Sequence, residues 1–163
     1  MSTRWRQVVV LVAVAAAAAL AVAVIGVALG GGAGSASQDE YRETVVTARN
    51  QVEFALEKIA KPQSVEELLS QLDDAAVIVE NAAGDLAGAA VADGFEDEND
   101  ELSAALYALA SELSGTAATL RDPAFAQALP RLTSLSFEQW EVVNRILGDL
   151  KEQGIDVEPL VRH

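Results

Sequence analysis

Residues 8–29 read VVVLVAVAAAAALAVAVIGVAL, 22 residues without a charged or polar side chain. As a helix rising about 1.5 Å per residue they span roughly 33 Å, enough to cross a hydrocarbon core about 30 Å thick. Lipid offers no partner to an open backbone amide, so a segment that crosses it must be helical. Val is a modest helix former in water, but lipid removes the competing solvent. Arg4 and Arg6 precede the run, and the first charges after it are Asp39 and Glu40. Basic residues favour the cytoplasmic side. The expected topology is a cytoplasmic tail over residues 1–7, a transmembrane anchor over 8–29 and an extracytoplasmic remainder. Trp5 falls at the depth of the membrane interface, where an amphipathic ring is stable.

A cleaved secretory signal is the competing reading. Such signals pair a basic start with an apolar core of about 7–15 residues and a small-residue cleavage site. The basic start is present, and Ala33-Gly34-Ser35 satisfies the cleavage pattern, but the apolar core is too long. The retained anchor is therefore the expectation and a secreted form the alternative. Both place the remainder outside the cytoplasm. Gly26 and Gly30 form a G-x-x-x-G pair, the spacing that lets two membrane helices approach closely. They are the candidate contact for self-association through the anchor, against the simpler fact that Gly and Ala abound in this region. Residues 30–37, rich in Gly and Ser, read as a flexible linker.

Beyond the linker lie 126 residues, one domain's worth. The two arginines belong to the tail, which leaves nine basic against 25 acidic residues beyond it. Nucleic acid and anionic head groups would repel such a surface, so neither is an expected partner. The chain has no Cys, which removes disulfides, thiol catalysis and cysteine metal sites. Its one His is the last residue, His163.

The remainder is patterned for helices. Tyr41, Val45, Ala48, Val52, Leu56 and Ile59 recur at steps of three and four, one apolar stripe, and Pro62 stops the helix. Ser64 followed by Glu67 is a capping box that opens a second helix. Its stripe runs through Val65, Leu68, Leu72, Ala75, Val79, Ala82, Leu86 and Ala89, with Asp93-Gly94 as its terminating turn. Gly84 and Gly88 weaken it or permit close helix approach. The acidic run of residues 96–101 precedes a third stripe of Leu102, Leu106, Leu109, Leu113, Ala117 and Leu120. Acids at a helix start suit the dipole. The calcium reading of Asp97, Asn99 and Glu101 fails because the sixth loop position is Leu102 and the twelfth is Ala108. Asp122-Pro123 opens a short turn that ends at Pro130. Ser136 with Gln139 forms another capping box, opening a fourth stripe of Trp140, Val143, Leu147 and Leu150 flanked by Ile146. Gly154 takes the positive φ that ends that helix. Ile155, Val157 and Leu160 in the tail can pack back. The expected fold is all-α: an antiparallel up-down four-helix bundle over residues 38–163.

Catalytic, cofactor and metal signals are missing. A terminal His cannot build a nucleophile triad, the glycines lack a strand–loop–helix setting, and no Glu-x-x-His pair occurs. The expectation is a non-enzyme without cofactor. The aromatics Tyr41, Phe54, Tyr107, Phe125, Phe137 and Trp140 read chiefly as core; Phe137 and Trp140 are the candidate contacts if a protein partner exists. Asn81 and Asn144 are expected to be solvated or locally bonded. Two functional classes follow: a structural or protein-interaction module, such as an accessory subunit of a membrane complex, or a small-solute or cation binding or sensor domain. Exposed apolar clusters support the first, and an enclosed polar cavity supports the second.

Overall fold

A computed structural model describes residues 35–59, 62–122 and 137–161. All belong to the second of the two units into which the chain divides, Ser35–His163. The anchor, Gly26, Gly30, Phe125 and His163 lie outside the described residues. Among the unit's described residues are four helices: α1, Gln38–Ile59; α2, Val65–Ala87; α3, Glu96–Leu120; and α4, Glu138–Glu152. No strand occurs among the described residues beyond one isolated bridge between Ala36 and Ala92. None of the four helices is long and apolar enough to cross a membrane.

Each helix forms where a stripe and a start signal coincide. Ser37 and Glu40 make a reciprocal capping box at α1: Glu40 N–H donates to Ser37 Oγ at 3.3 Å, and Ser37 N–H donates to the Glu40 carboxylate at 2.9 Å. The Ser37 N–H and the Ser37 hydroxyl both donate to the Glu40 carboxylate, which holds it below its ordinary range. The S-x-x-E signal stands in the sequence, although Asp39 and Glu40 alone do not reveal it. At α2 the box is modified. Glu67 N–H donates to Ser64 Oγ as expected, but the Glu67 carboxylate accepts from Gln63 N–H, one residue before the cap.

Consecutive helices pack against one another, α2 against α3 most extensively, in the up-down order. The predicted stripes supply the core. All six α1 residues and all six α3 residues are buried, as are six of the eight on α2, with Val65 and Ala89 half-buried. On α4, Val143, Ile146, Leu147 and Leu150 are buried and Trp140 is half-buried. Ala55, Ala76, Ala83, Ala105 and Ala110 fill the narrower seams. Each fully buried Leu or Val contributes roughly 1.5–3 kcal/mol of transfer free energy.

Three expectations are corrected. α2 ends at Ala87 rather than at Asp93-Gly94. Gly88 caps it, its N–H donating to Gly84 O at 3.0 Å, and α3 adds two bonds: Asn99 Nδ2 donates to Leu86 O at 3.2 Å, and Ser103 Oγ donates to Ala83 O at 3.0 Å. Gly94, with φ +88°, serves the entry to α3. The first residue of α4 is Glu138, capped by Phe137, which has no side-chain acceptor. The Glu112 carboxylate of α3 caps this start, accepting from Glu138 N–H at 2.8 Å and Gln139 N–H at 3.2 Å, while the expected cap Ser136 lies outside the described residues. Phe54 and Tyr107 are exposed, at 54% and 44%, because both stand off the buried stripes of their helices. Phe54 lies beneath the Lys58 ammonium, 4.2 Å from the ring centroid, a cation–π contact. A Cβ at Gly84 would meet the Tyr107 hydroxyl oxygen at 3.4 Å, an ordinary van der Waals contact, so close helix approach does not require glycine there.

The segment after α4 completes the body. Gly154 has φ +104°; its N–H donates to Lys151 O, and Ile155 N–H donates to Leu150 O at 2.9 Å. This is the Schellman arrangement, with Ile155 and Leu150 as its apolar contact. Ile155, Val157 and Leu160 are all buried, as the sequence leads one to expect. The segment runs beside α1 and back along α4, two helices that share little direct packing.

Candidate functional site

Phe137 and Trp140 stand at the start of α4, half-buried and packed against the core. Glu112 fixes that start by capping it from α3. The pair therefore divides its surface between the interior and solvent, the disposition of an aromatic anchor that needs only part of its ring for packing.

Two open grooves mark the described surface. One, of about 320 Å³, lies between α1 and α2 and is lined by Glu40, Glu43, Thr44, Thr47, Gln51 and Asp85 among others. The other lies between α3 and α4 and gathers Asp97, Glu98, Asp100, Glu101, Asp149 and Glu152. Arg145 bridges Glu101 and Asp149 across it at 3.8 and 3.4 Å. The potential there is strongly negative, and among the described residues no set of three His, Cys, Asp or Glu has metal-binding geometry. The acids at 97 and 101 belong to a continuous helix, and Asn99 between them turns inward to Leu86 O. Successive odd positions on a helix lie on different faces, which is why the alternation cannot wrap one ion.

Beside this end of the bundle, Tyr41 is fully buried and stacks against Phe95 with ring centroids 5.7 Å apart. Burial, reinforced by the negative charge of Glu98, pushes its phenol up to about 12. Its hydroxyl has no hydrogen-bond partner among the described residues.

The most elaborate polar constellation holds the carboxyl-terminal segment. Arg49 of α1 donates from Nε to Glu158 O at 3.1 Å and from Nη2 to Pro159 O at 2.9 Å, braced by an ion pair with Glu53. Asn144 of α4 accepts from Leu160 N–H at 2.7 Å and donates to Leu160 O at 3.4 Å. Lys151 pairs with Glu158 at 2.7 Å, which raises the lysine and lowers the carboxyl relative to their ordinary values. Asn81 is exposed as expected, whereas Asn144 is neither solvated nor locally bonded: it spans to a residue 16 positions away. Arg49, Glu112 and Asn144 carry no local motif, because each recognises backbone brought near only by the fold.

The fold defines a class, the up-down four-helix bundle with an extended carboxyl-terminal strap. No protein-family model matches the sequence, and no curated protein or solved structure is detectably similar to it.

Proposed function

We propose that residues 8–29 hold the chain in the cell membrane as a single-pass anchor, with residues 1–7 cytoplasmic and the bundle outside. There the bundle acts as a structural or protein-interaction module, an accessory subunit of a membrane complex. The observation that carries this reading is the uncharged 22-residue run behind Arg4 and Arg6, joined to an acidic bundle whose interior is filled by its own side chains. Support for an interaction role comes from Phe137 and Trp140, which leave part of their rings to solvent at the start of α4. Phe137 and Trp140 are the partner contact, and Gly26 and Gly30 the contact between anchors.

Crosslinking and pull-down from native membranes tests the reading. The full-length chain is expected in the membrane fraction, joined to a protein that Trp140→Ala loses without a change in the bundle's helical content. Recovery of the chain as a soluble species beginning near Ala36 would replace the anchored module with a secreted one.

A further inference from the structure

We propose that the cleft between α1 and α4 is a binding site for an extended peptide, filled in one copy by its own residues 156–161 and able to take the same segment from a second copy. The two side chains that hold the segment read its main chain. Arg49 takes two successive carbonyls, those of Glu158 and Pro159. Asn144 takes both the N–H and the C=O of Leu160. An amide that engages both groups of one residue imitates a neighbouring strand. Main-chain hydrogen bonds of this kind supply affinity in extended-peptide recognition, and pockets for intermittent side chains supply selectivity. Val157 and Leu160 fill the pockets at 2% and 4% exposure, while Asp156, Glu158 and Pro159 face solvent. Ile155, bonded to its own helix end, is the fixed root of the segment. The ligand class is thus an extended peptide with apolar residues at its second and fifth positions.

The body does not close around an empty cleft. α1 and α4 share little direct packing, and the segment bonds to both, to Arg49 on α1 and to Asn144 on α4. α2 packs on α1 and α3 on α4, so both walls are held by other elements. Departure of the segment therefore breaks no helix. The turn at Gly154 is closed by bonds within α4 and its end, to Lys151 and Leu150, so what swings out begins after Ile155.

A second copy is the occupant that this geometry favours, because it carries the one peptide already shaped to the cleft. Reciprocal exchange restores every bond and every buried side chain, leaving association entropy and the hinge as the cost. The inference is independent of the anchor: it concerns the bundle and holds whether or not residues 8–29 are retained.

The absence of native cysteine permits a direct test with the full chain. Val161 N–H reaches the Glu53 carboxylate at 3.4 Å, which places these two positions at the end of the cleft. A chain carrying both Glu53→Cys and Val161→Cys is expected to close within itself under a short bis-maleimide. An equimolar mixture of the two single variants is expected to give the mixed dimer in more than the twofold excess over each homodimer that random pairing gives. Synthetic peptide of residues 156–161 should diminish that product, and adding Leu160→Asp to the Val161→Cys chain should abolish the excess. Failure of the double variant to close overturns the placement of the segment in the cleft. Closure in the double variant with no excess of mixed dimer, or an excess that neither peptide nor Leu160→Asp diminishes, overturns the exchange.

Discussion

At the scale of single residues, conformation separates glycines that look alike in the sequence. Gly115 and Gly148 sit in helices with open space where a Cβ would be, whereas Gly154 has φ +104° and Gln38 Nε2 3.2 Å from that position. Gly148→Ala is expected to stabilise by up to about 1 kcal/mol, since alanine loses less backbone entropy in a helix. Gly154→Ala is expected to destabilise by roughly 1–2 kcal/mol, the cost of a left-handed conformation for a residue with a Cβ. Urea midpoints moving in opposite directions check both; a shift of the same sign would refute the assigned backbone geometry. Tyr41 makes a second residue-scale prediction. Its phenol is raised from 10.0 to about 12 in the folded chain. The folded state thus prefers the neutral form, so no stability is lost below pH 10. Between pH 10 and 12 the unfolded chain ionises first, and stability falls by roughly 2–3 kcal/mol, about 1.4 kcal/mol per unit. Melting of the wild type against Tyr41→Phe across this range measures the effect, which is absent from the variant if Tyr41 is its source.

At the scale of elements, the helices were readable because each is long enough to repeat its apolar step several times. Leu102, Leu106, Leu109, Leu113, Ala117 and Leu120 all proved buried, and one face of a helix admits no other arrangement of six such residues. Helix ends were less readable. A terminus is settled by whichever group reaches its open amides or carbonyls; at α4 that group is Glu112 from α3, and at α2 the bonds of Asn99 and Ser103 from α3 join the helix's own Gly88 cap. No local window contains both Glu112 and the amides it caps. The same reason hid Arg49 and Asn144, while Ile155, Val157 and Leu160 announced their burial by being apolar in a polar tail. Phe54 misled because size suggests burial, yet its place off the stripe decides. The prediction at this scale concerns α3. Leu109→Asp places a lone charge where exposure is 0%, at an expected cost of roughly 3–5 kcal/mol. Against a typical domain stability of about 5–15 kcal/mol that is enough to collapse or severely lower melting. Ser114→Asp, on the exposed side of the same helix, should stay within about 0.5 kcal/mol of the wild type. Equal effects at the two sites would mean that α3 does not present Leu109 to the core.

At the scale of the whole molecule, the chain joins two materials that tolerate opposite solvents. Residues 8–29 lose nothing by entering lipid, since they carry no side-chain charge to desolvate. The bundle cannot follow, because 25 carboxylates would have to shed their water. The boundary between them lies near Ser35, and at that end of the bundle Ala36 pairs with the α2–α3 connection through its N–H to Val91 O at 3.1 Å. Orientation then depends on Arg4 and Arg6 against Asp39 and Glu40, a difference of flanking charge that favours the basic end inside. Protease added to intact cells or sealed spheroplasts is therefore expected to remove the bundle and leave a membrane-bound stub containing residues 8–29. The proposed topology puts residues 1–7 on the far side, so the protected fragment should be short. A bundle that survives until the bilayer is breached reverses the orientation, and with it the proposal of an extracytoplasmic partner. Replacing Arg4 and Arg6 with Glu moves the same assay in a known direction: the basic bias is lost, and the fraction of chains shielded from protease should rise.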